Sequence, residues 1–470
     1  MLITDSITYT LARLAPGILA IATTAVLTRL LEPQKYGIFA LAQVVMTLVS
    51  SIAFDWLGPT LQRLYEAHRG DPRTFATFVH LYFGLVMGSA AVTLLVWILG
   101  GFRNGQGAIY ILGIALAWGY SWFELTSQFE IVNFRPLRYF RMNVWRAVLI
   151  FAGASGAAWI TRDPFWTAVF AGAGMLGGAV HGSFSGKPLR HSSRELLAEI
   201  IGYGLPMSVT ITMTGIVVDG TRFMLGIFDS PESLGLYTAS FLLVRNSLLF
   251  IATGIGSAGF PLAVRALEHG DPAAVRRQLM DNGTLLLAIM APASLGLALT
   301  AQGFATTILG AEYRSTAITL TPWMAAAAFL FSIRSNLFDT AFQLSRRTGL
   351  LAWVAVVAAI SATALSMLLI PRMGPLGVAI SVTVALAISC CHAVIAGRSV
   401  FRVPIPVGSA VRVLICCAFM TLIILSIPPT GPMTFVMQIV LGALGYAGAA
   451  VALNVLDLRA HLVSYFSRRD

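Results

Sequence analysis

Residues 350–396 read LLAWVAVVAAISATALSMLLI, then PRMG, then PLGVAISVTVALAISCCHAVIA, and they decide the fold of this chain. Arg372 is the only Asp, Glu, Lys or Arg in the whole stretch. A helix needs roughly 20 apolar residues to cross a hydrocarbon core of about 30 Å, and each run has that length. Because proline disrupts a helix interior, Pro371 in the short segment and Pro375 directly after it separate the runs. The stretch therefore predicts two membrane-spanning helices joined by a tight turn.

The rest of the chain has the same character. Hydrophobic residues make up 57% of its 470 residues, charged residues 11%, and the mean hydropathy is +0.80. Soluble domains contain about 25% charged residues, so this composition excludes a soluble fold. We predict an all-α polytopic membrane protein with about fourteen transmembrane helices. The predicted spans are 7–30, 37–58, 75–99, 108–132, 142–160, 165–184, 200–227, 234–260, 279–301, 316–339, 350–370, 375–396, 410–427 and 431–456.

The basic residues of the loops alternate between the two sides of this topology. Twenty Lys and Arg residues lie on one side, and only Lys35, Arg103, Arg162, Arg314 and Arg372 lie on the other. Positively charged loops stay in the cytoplasm, so we predict a cytoplasmic (inner) membrane protein with both termini cytoplasmic. No cationic region or cleavage pattern precedes the first apolar run, which we therefore interpret as a retained span. The net charge of +11 is spread over these loops, and we expect no nucleic-acid partner.

The two halves of the chain resemble each other at an offset of about 200 residues. Glu32–Phe39 matches Ser230–Tyr237, and Gly70-Asp71-Pro72 matches Gly270-Asp271-Pro272. Chance similarity of glycine and proline turns is the alternative. An even number of spans per repeat predicts two six-helix lobes related by a pseudo-twofold axis along the membrane normal, with substrate bound between them. We predict an N-lobe at 1–184, a cytoplasmic linker at 185–199, a C-lobe at 200–396, and two extra spans with a cytoplasmic tail at 397–470.

The motifs that resemble those of enzymes lack the structural context or the spacing that their chemistry needs, and we predict no catalytic residue. Gly172–Gly177 and Gly254–Gly259 both spell G-x-G-x-x-G, but they lie inside predicted spans, where glycines allow close helix packing. Gly182–Lys187 is one residue too short for a phosphate-binding loop, so we expect no ATP hydrolysis. The four cysteines form two adjacent pairs inside spans, which does not match the spacing of a metal site. We expect no metal site and no cofactor apart from a coupling H⁺ or Na⁺.

Charged residues inside apolar spans are the candidates for function, because each costs at least about 2.5 kcal/mol at the bilayer centre unless it is paired or hydrated. Arg245 lies in the middle of its span, from which it reaches neither headgroup layer. We predict that it binds substrate, and Glu124 is the candidate ion-coupling residue. Further candidates for substrate binding lie nearer the ends of their spans, and they are Arg13, Arg334, Arg222 and Asp219.

Each of these charges has an alternative interpretation. Asp219 and Arg222 are three residues apart on one helix face and can neutralise each other. Glu124 can pair with Arg146 instead of carrying a cation. Side chains near the ends of spans can extend to the headgroups, which applies to Arg13. The sequence leaves these alternatives open.

Several motifs resemble the oligosaccharide flippase and polysaccharide exporter family of the multidrug/oligosaccharidyl-lipid/polysaccharide (MOP) superfamily. They are Leu27–Ala42 at the end of the first span, Tyr203-Gly204-Leu205-Pro206, Asp219 with Arg222 ahead of Gly235-Leu236-Tyr237, and Gly374–Ala379. The resemblance covers nearly the whole chain. It implies two six-helix lobes around a central cationic cavity, and a substrate made of a sugar unit linked to polyprenyl pyrophosphate. It also implies that the last two spans form a groove for the lipid tail.

The leading hypothesis is therefore a flippase for lipid-linked oligosaccharides that works by alternating access, and Arg245 is the first residue to test as a ligand of the anionic head group. Buried arginines suit pyrophosphate because they form charge-assisted hydrogen bonds with its oxygens. An ion-coupled exporter of drugs or small cations is the alternative, although its site should be negatively charged. A membrane scaffold in a polysaccharide-synthesis complex is the third possibility. Expected partners are the lipid-linked oligosaccharide, membrane lipids, a polysaccharide polymerase and glycosyltransferases, around a monomeric transporter.

Overall fold

The structure is a computed structural model that describes residues 2–68, 71–101, 107–180, 192–268, 271–345, 347–401 and 403–457. These residues form helices joined by short turns, without a β-strand in the described ranges. The helices are α1 (Leu2–Leu30), α2 (Pro33–Ala53), α3 (Leu57–Leu64), α4 (Pro72–Ile98), α5 (Gly107–Val132), α6 (Pro136–Thr161), α7 (Pro164–Ala179), α8 (Arg194–Gly215), α9 (Thr221–Phe228), α10 (Pro231–Glu268), α11 (Pro272–Leu299), α12 (Ala301–Ile308), α13 (Arg314–Ile333), α14 (Asp339–Leu344), α15 (Thr348–Arg398), α16 (Val407–Leu425) and α17 (Pro432–Ala452).

Each predicted span overlaps one of these helices or two in direct succession. Within the described residues, ten helical segments are long and apolar enough to cross a membrane, which confirms an all-α multi-pass membrane protein. The number fourteen stays a prediction, because Ala15–Leu30 is a shorter apolar helix and α15 alone covers two predicted spans. α15 bends sharply at Gly374, whose φ of 52° lies in the left-handed region that favours glycine.

The helices divide into two compact units. The first comprises Met1–Thr238 with Ser366–Val378, and the second comprises Ala239–Leu365 with Ala379–Asp470. These boundaries differ from those of the lobes predicted at 1–184 and 200–396. Transport lobes need not coincide with compact units, so the lobe boundaries stay a prediction. Residues 185–191 of the predicted linker lie outside the described residues, and its last residues, Arg194–Glu199, already belong to α8.

An aromatic core holds the first unit together where α3, α4, α5 and α8 meet. Phe78 and Phe129 are buried there with perpendicular rings, an arrangement that aromatic pairs prefer. Tyr82 donates its hydroxyl proton to the carbonyl oxygen of Trp118 over 2.6 Å, so its polar end is satisfied among apolar neighbours. This core fixes the position of α5, the helix that carries Glu124.

Glycines bring α6 and α7 into close contact. A Cβ atom on Gly174 would lie 2.6 Å from the backbone nitrogen of Ile150, and one on Gly177 would lie 2.7 Å from the side chain of Leu149. Small residues allow this backbone approach between membrane helices. The packing interpretation of the Gly172–Gly177 motif is therefore confirmed, whereas the side chains around the Gly254–Gly259 motif lie outside the described residues.

Two matching segments of the repeat contact each other within the first unit. α2 begins at Pro33 and α10 begins at Pro231, and proline suits the first helical position because its missing N–H has no partner there. A Cβ atom on Gly37 would lie 1.6 Å from the Pro231 carbonyl oxygen, and one on Gly235 would lie 2.2 Å from the Pro33 carbonyl oxygen. The contact is reciprocal and leaves no room for a side chain. We call Pro33–Gly37 together with Pro231–Gly235 the glycine clasp.

A second pair of matching segments starts two helices in the same way. Asp71 precedes α4, and its carboxylate accepts a hydrogen bond from the backbone of Arg73 over 2.8 Å. Asp271 precedes α11 and accepts from the backbone of Ala273 and Ala274, each over 3.0 Å. The repeated Asp-Pro pair is therefore a helix start, in which the aspartate caps exposed N–H groups.

Replacing Asp271 by alanine is expected to lower the free energy of unfolding by about 1 kcal/mol, because two backbone N–H groups lose their acceptor. Asp271→Asn should retain most of this stability, since its amide oxygen still accepts. Asp281→Ala is the matched control, because it removes an exposed aspartate from the same helix. Thermal unfolding of the purified protein in detergent measures the difference, and equal losses at positions 271 and 281 would contradict the capping role.

The second unit contains the hairpin of α16 and α17. Cys416 and Cys417 are buried free thiols on α16 and pack among apolar neighbours. Tyr446 on α17 donates its hydroxyl proton to the carbonyl oxygen of Ala288 on α11 over 2.7 Å. The hairpin is thus anchored to α11 by apolar packing and by one buried hydrogen bond. Its role as a lipid-tail groove stays a prediction.

Candidate functional site

A buried ion pair lies where the helix of the seventh predicted span changes its period. Ile216–Gly220 form a π-helical segment between α8 and α9. Arg222 donates from Nη1 to Asp219 Oδ1 over 2.7 Å and from Nη2 to Thr238 Oγ1 over 3.2 Å. Arg222 is 3% exposed and Asp219 is 7% exposed. The mutual neutralisation that the sequence left open is the arrangement found here, and a substrate-binding role for the pair stays a prediction.

A second buried cluster, in the second unit, likewise consists of an arginine, an aspartate and a hydroxyl side chain. Arg334–Phe338 form a π-helical segment between α13 and α14. Arg334 donates from Nη1 to Ser389 Oγ over 2.9 Å, and its Nε lies 3.7 Å from Asp339 Oδ2. Both charged residues are buried, each with 5% exposure. Arg334 is therefore held inside the unit by a carboxylate and a hydroxyl, and its predicted role in substrate binding remains untested.

The π-helical segment explains a pair that sequence spacing does not reveal. Arg334 and Asp339 are five residues apart, and on a regular α-helix such residues point roughly 140° away from each other at about 100° per residue. A π turn closes its hydrogen bond over five residues and returns them to one side. The i, i+3 spacing of Asp219 and Arg222 was visible in the sequence, whereas this second pair had no equivalent signal.

Arg245 differs from the two buried arginines. It lies on α10 with an exposed side chain, and its guanidinium carbon is 5.9 Å from the ring centroid of Phe241. Within the described part of the chain, Arg245 makes no ion pair. A guanidinium near an aromatic face is weakly stabilised and remains available to an anion. The side chain of Arg13, the remaining arginine candidate, lies outside the described residues.

Glu124 on α5 is paired. Its Oε1 accepts a hydrogen bond from Arg146 Nη1 on α6 over 3.0 Å. The same guanidinium lies 4.1 Å from the ring centroid of Phe123, so it is held from two sides. The pairing that competed with ion coupling in the sequence interpretation is present, and the proposed coupling role of Glu124 stays untested.

A polar cavity of about 110 Å³ lies beside Glu124 in the first unit. Asp55 lines it from the turn between α2 and α3, and Ser121, Glu124 and Gln128 line it from α5. The described residues contain no group of three His, Cys, Asp or Glu side chains arranged to hold a metal ion. The cavity therefore offers carboxylate, hydroxyl and amide oxygens, which suit protons, water or weakly held monovalent cations.

The sequence profile of a family described as polysaccharide biosynthesis protein matches residues 26–318, more than half of the chain. No curated protein sequence matches significantly.

Several solved membrane transporters share the fold. The lipid II flippase MurJ, in an inward closed conformation, superposes with a TM-score of 0.78 at 11% identity, covering 95% of this chain and 99% of MurJ. An outward-facing MATE family multidrug resistance transporter of the MOP superfamily gives 0.55 at 14% identity, with 84% and 95% covered. A MOP superfamily transporter from Pyrococcus furiosus, described by the reverse polarity of its binding pocket, gives 0.51 at 16%, with 84% and 94% covered. At such identities the likeness concerns the fold alone.

Proposed function

The chain belongs to the polysaccharide biosynthesis protein family, and on that premise we propose that it is a flippase that carries a polyprenyl-pyrophosphate-linked oligosaccharide across the cytoplasmic membrane. The family resemblance in the sequence is confirmed by the family match, and MurJ and a MATE transporter of the MOP superfamily share the fold. The lipid-linked substrate, alternating access between the predicted lobes, and cytoplasmic termini are parts of this proposal. Partnership with a polysaccharide polymerase and glycosyltransferases belongs to it as well.

The observation that carries the proposal is the free guanidinium of Arg245. The other two arginine candidates with described side chains are each engaged by a carboxylate and a hydroxyl, but Arg245 is exposed and unpaired within the described ranges. An arginine inside a membrane span needs an anion or water around it. A pyrophosphate supplies the anion, and its oxygens match the fork of guanidinium donors.

The alternative of a cation exporter fits this observation less well. A site for organic cations should hold an uncompensated negative charge, whereas Arg245 would repel the substrate. Glu124 is neutralised by Arg146, and the cavity that Asp55 lines has only about 110 Å³, well below the roughly 300 Å³ or more of a site for a drug-sized ligand. We therefore keep the anionic lipid-linked substrate as the proposal.

Arg245→Ala is expected to slow flipping of a fluorescent polyprenyl-pyrophosphate-linked sugar by about tenfold or more in proteoliposomes. The loss of a hydrogen bond to a charged group costs about 1.5–3 kcal/mol, and 1.4 kcal/mol corresponds to tenfold. Arg245→Lys should retain part of the activity, because the charge remains but the two-point contact does not. A quencher that cannot cross the bilayer reports the outer-leaflet fraction of the probe.

Arg265→Ala is the matched control, since it removes an exposed arginine from the same helix. Unchanged flipping in Arg245→Ala would remove the observation on which the proposal depends. A purified wild-type protein that moves no probe would favour the scaffold hypothesis instead.

A further inference from the structure

Asp55 lies at a break in the second predicted span. α2 ends at Ala53 and α3 begins at Leu57, and the Asp55 amide donates to the Ser50 carbonyl oxygen over 2.8 Å, closing a five-residue turn. The break lets the Asp55 side chain line the cavity in the first unit, which has room for several water molecules. Its carboxylate makes no hydrogen bond or ion pair with any residue that the structure describes.

The charged groups around Asp55 are already compensated. Glu124 and Asp219 interact with it electrostatically, one from α5 and the other from the π segment after α8. Glu124 is paired with Arg146 on α6, and Asp219 is paired with Arg222 on α9. Asp55 is therefore the carboxylate of this group that has no cation beside it.

The uncharged oxygens of the cavity are engaged as well. Ser121 shares a hydrogen bond of 3.1 Å with Ser50, and the side-chain oxygen of Gln128 accepts from Gln62. A sodium ion needs several oxygen ligands at once, whereas each of these oxygens already has one lone pair or its orientation committed to a partner. A proton needs only one carboxylate oxygen. The geometry therefore favours a proton over a metal cation.

We infer that Asp55, rather than Glu124, takes up and releases the proton that couples transport to the proton gradient, an inference that rests on the proposed transport function. An ionised carboxylate without a partner is costly away from bulk water. Asp55 is therefore stable as the neutral acid when the cavity is closed and as the anion when the cavity is hydrated. The proton enters from water on one side and returns to water on the other, and no covalent bond besides O–H forms or breaks.

Infrared spectroscopy of the purified protein tests this without any substrate. A titration over pH should reveal a carboxylic-acid C=O band that disappears as pH rises, and ¹³C-aspartate labelling should shift this band. Asp55→Asn should lose it, whereas Glu124→Gln should keep it. An aspartate band as strong in Asp55→Asn as in the wild type throughout the titration, or a wild-type protein without a titrating aspartate band, would overturn the inference. Asp339→Asn identifies the contribution of the buried Asp339. Asp55→Glu should show a band without the aspartate isotope shift, which separates loss of the acid from misfolding.

A flipping experiment tests the coupling itself. One pH unit across a vesicle membrane can bias the distribution of the fluorescent polyprenyl-pyrophosphate-linked sugar by up to about tenfold per proton moved. The wild type should show the bias, and Asp55→Asn should lose it. Asp281→Asn makes the same chemical change at an exposed aspartate outside the cavity lining and should retain it.

The possible failures are distinguishable. Probe movement without any bias in the wild type, or a bias that persists in Asp55→Asn, overturns the coupling role of Asp55. No probe movement in the wild type contradicts the proposed flippase function, and the infrared titration still decides whether Asp55 is the protonated group.

Discussion

Gly37→Ala is expected to destabilise the protein by about 2 kcal/mol or more and to lower its unfolding temperature. The new methyl group would lie 1.6 Å from the Pro231 carbonyl oxygen, and this backbone atom cannot rotate away as a side chain can. Overpacking typically costs about 1–3 kcal/mol and occasionally more, and the clash with a backbone atom places this variant at or above the upper end of that range. The cost therefore outweighs the gain of up to about 1 kcal/mol from replacing a helical glycine. Thermal unfolding in detergent or nanodiscs measures the result.

The reciprocal geometry of the glycine clasp makes a sharper prediction. A Cβ atom on Gly235 would lie 2.2 Å from the Pro33 carbonyl oxygen and 3.1 Å from Gly37 Cα, so both glycines act on one contact. Once the first alanine has separated the segments, the second should cost little. We therefore expect the double variant to be less destabilised than the two single effects added together.

Gly84→Ala is the control for both clasp variants. Gly84 lies on α4, and a Cβ atom there would meet no neighbouring atom within 4 Å. This variant should be neutral or slightly stabilised, because alanine favours the helix. Clasp variants as stable as Gly84→Ala, or strictly additive losses at positions 37 and 235, would contradict the reciprocal contact.

Arg222→Met is expected to destabilise the first unit by about 3–5 kcal/mol. It leaves the Asp219 carboxylate buried with 7% exposure and without its cation, and unpaired buried charges carry this cost. Removing both charges in Asp219→Asn with Arg222→Met should restore much of the lost stability, because two neutral side chains need less compensation. Yield of monodisperse protein and the unfolding temperature report the outcome.

This comparison also decides between the two interpretations of the pair. A structural pair predicts a stability loss in Arg222→Met and partial recovery in the double variant. A substrate-binding pair predicts normal stability with slower flipping in both. Arg334→Met provides a parallel in the second unit, since Asp339 would likewise remain buried without its nearest cation. Stability unchanged in Arg222→Met would show that the pair is not needed by the fold.

The sequence by itself determined the class of the fold. Long apolar runs without charges permit only membrane-spanning helices, because the backbone must satisfy its hydrogen bonds internally in lipid. The repeated Asp-Pro and Pro-x-x-x-Gly segments can also be recognised in the sequence, because helix caps and turns depend on neighbouring residues. Family membership followed from motifs and their order. The charged residues to test were also visible in the sequence, because charged residues are rare inside apolar spans.

Only the tertiary structure decided which of those charges are engaged. Ion pairing depends on side chains from different helices, as with Glu124 and Arg146, or on a change of helical period, as with Arg334 and Asp339. No local pattern encodes either of these. The tertiary structure likewise brought the two glycines of the repeat into contact across some 200 residues of chain, and it left Arg245 and Asp55 without partners among the described residues. Membrane helices come from local hydropathy, whereas the pairing of their charges comes from how the helices pack.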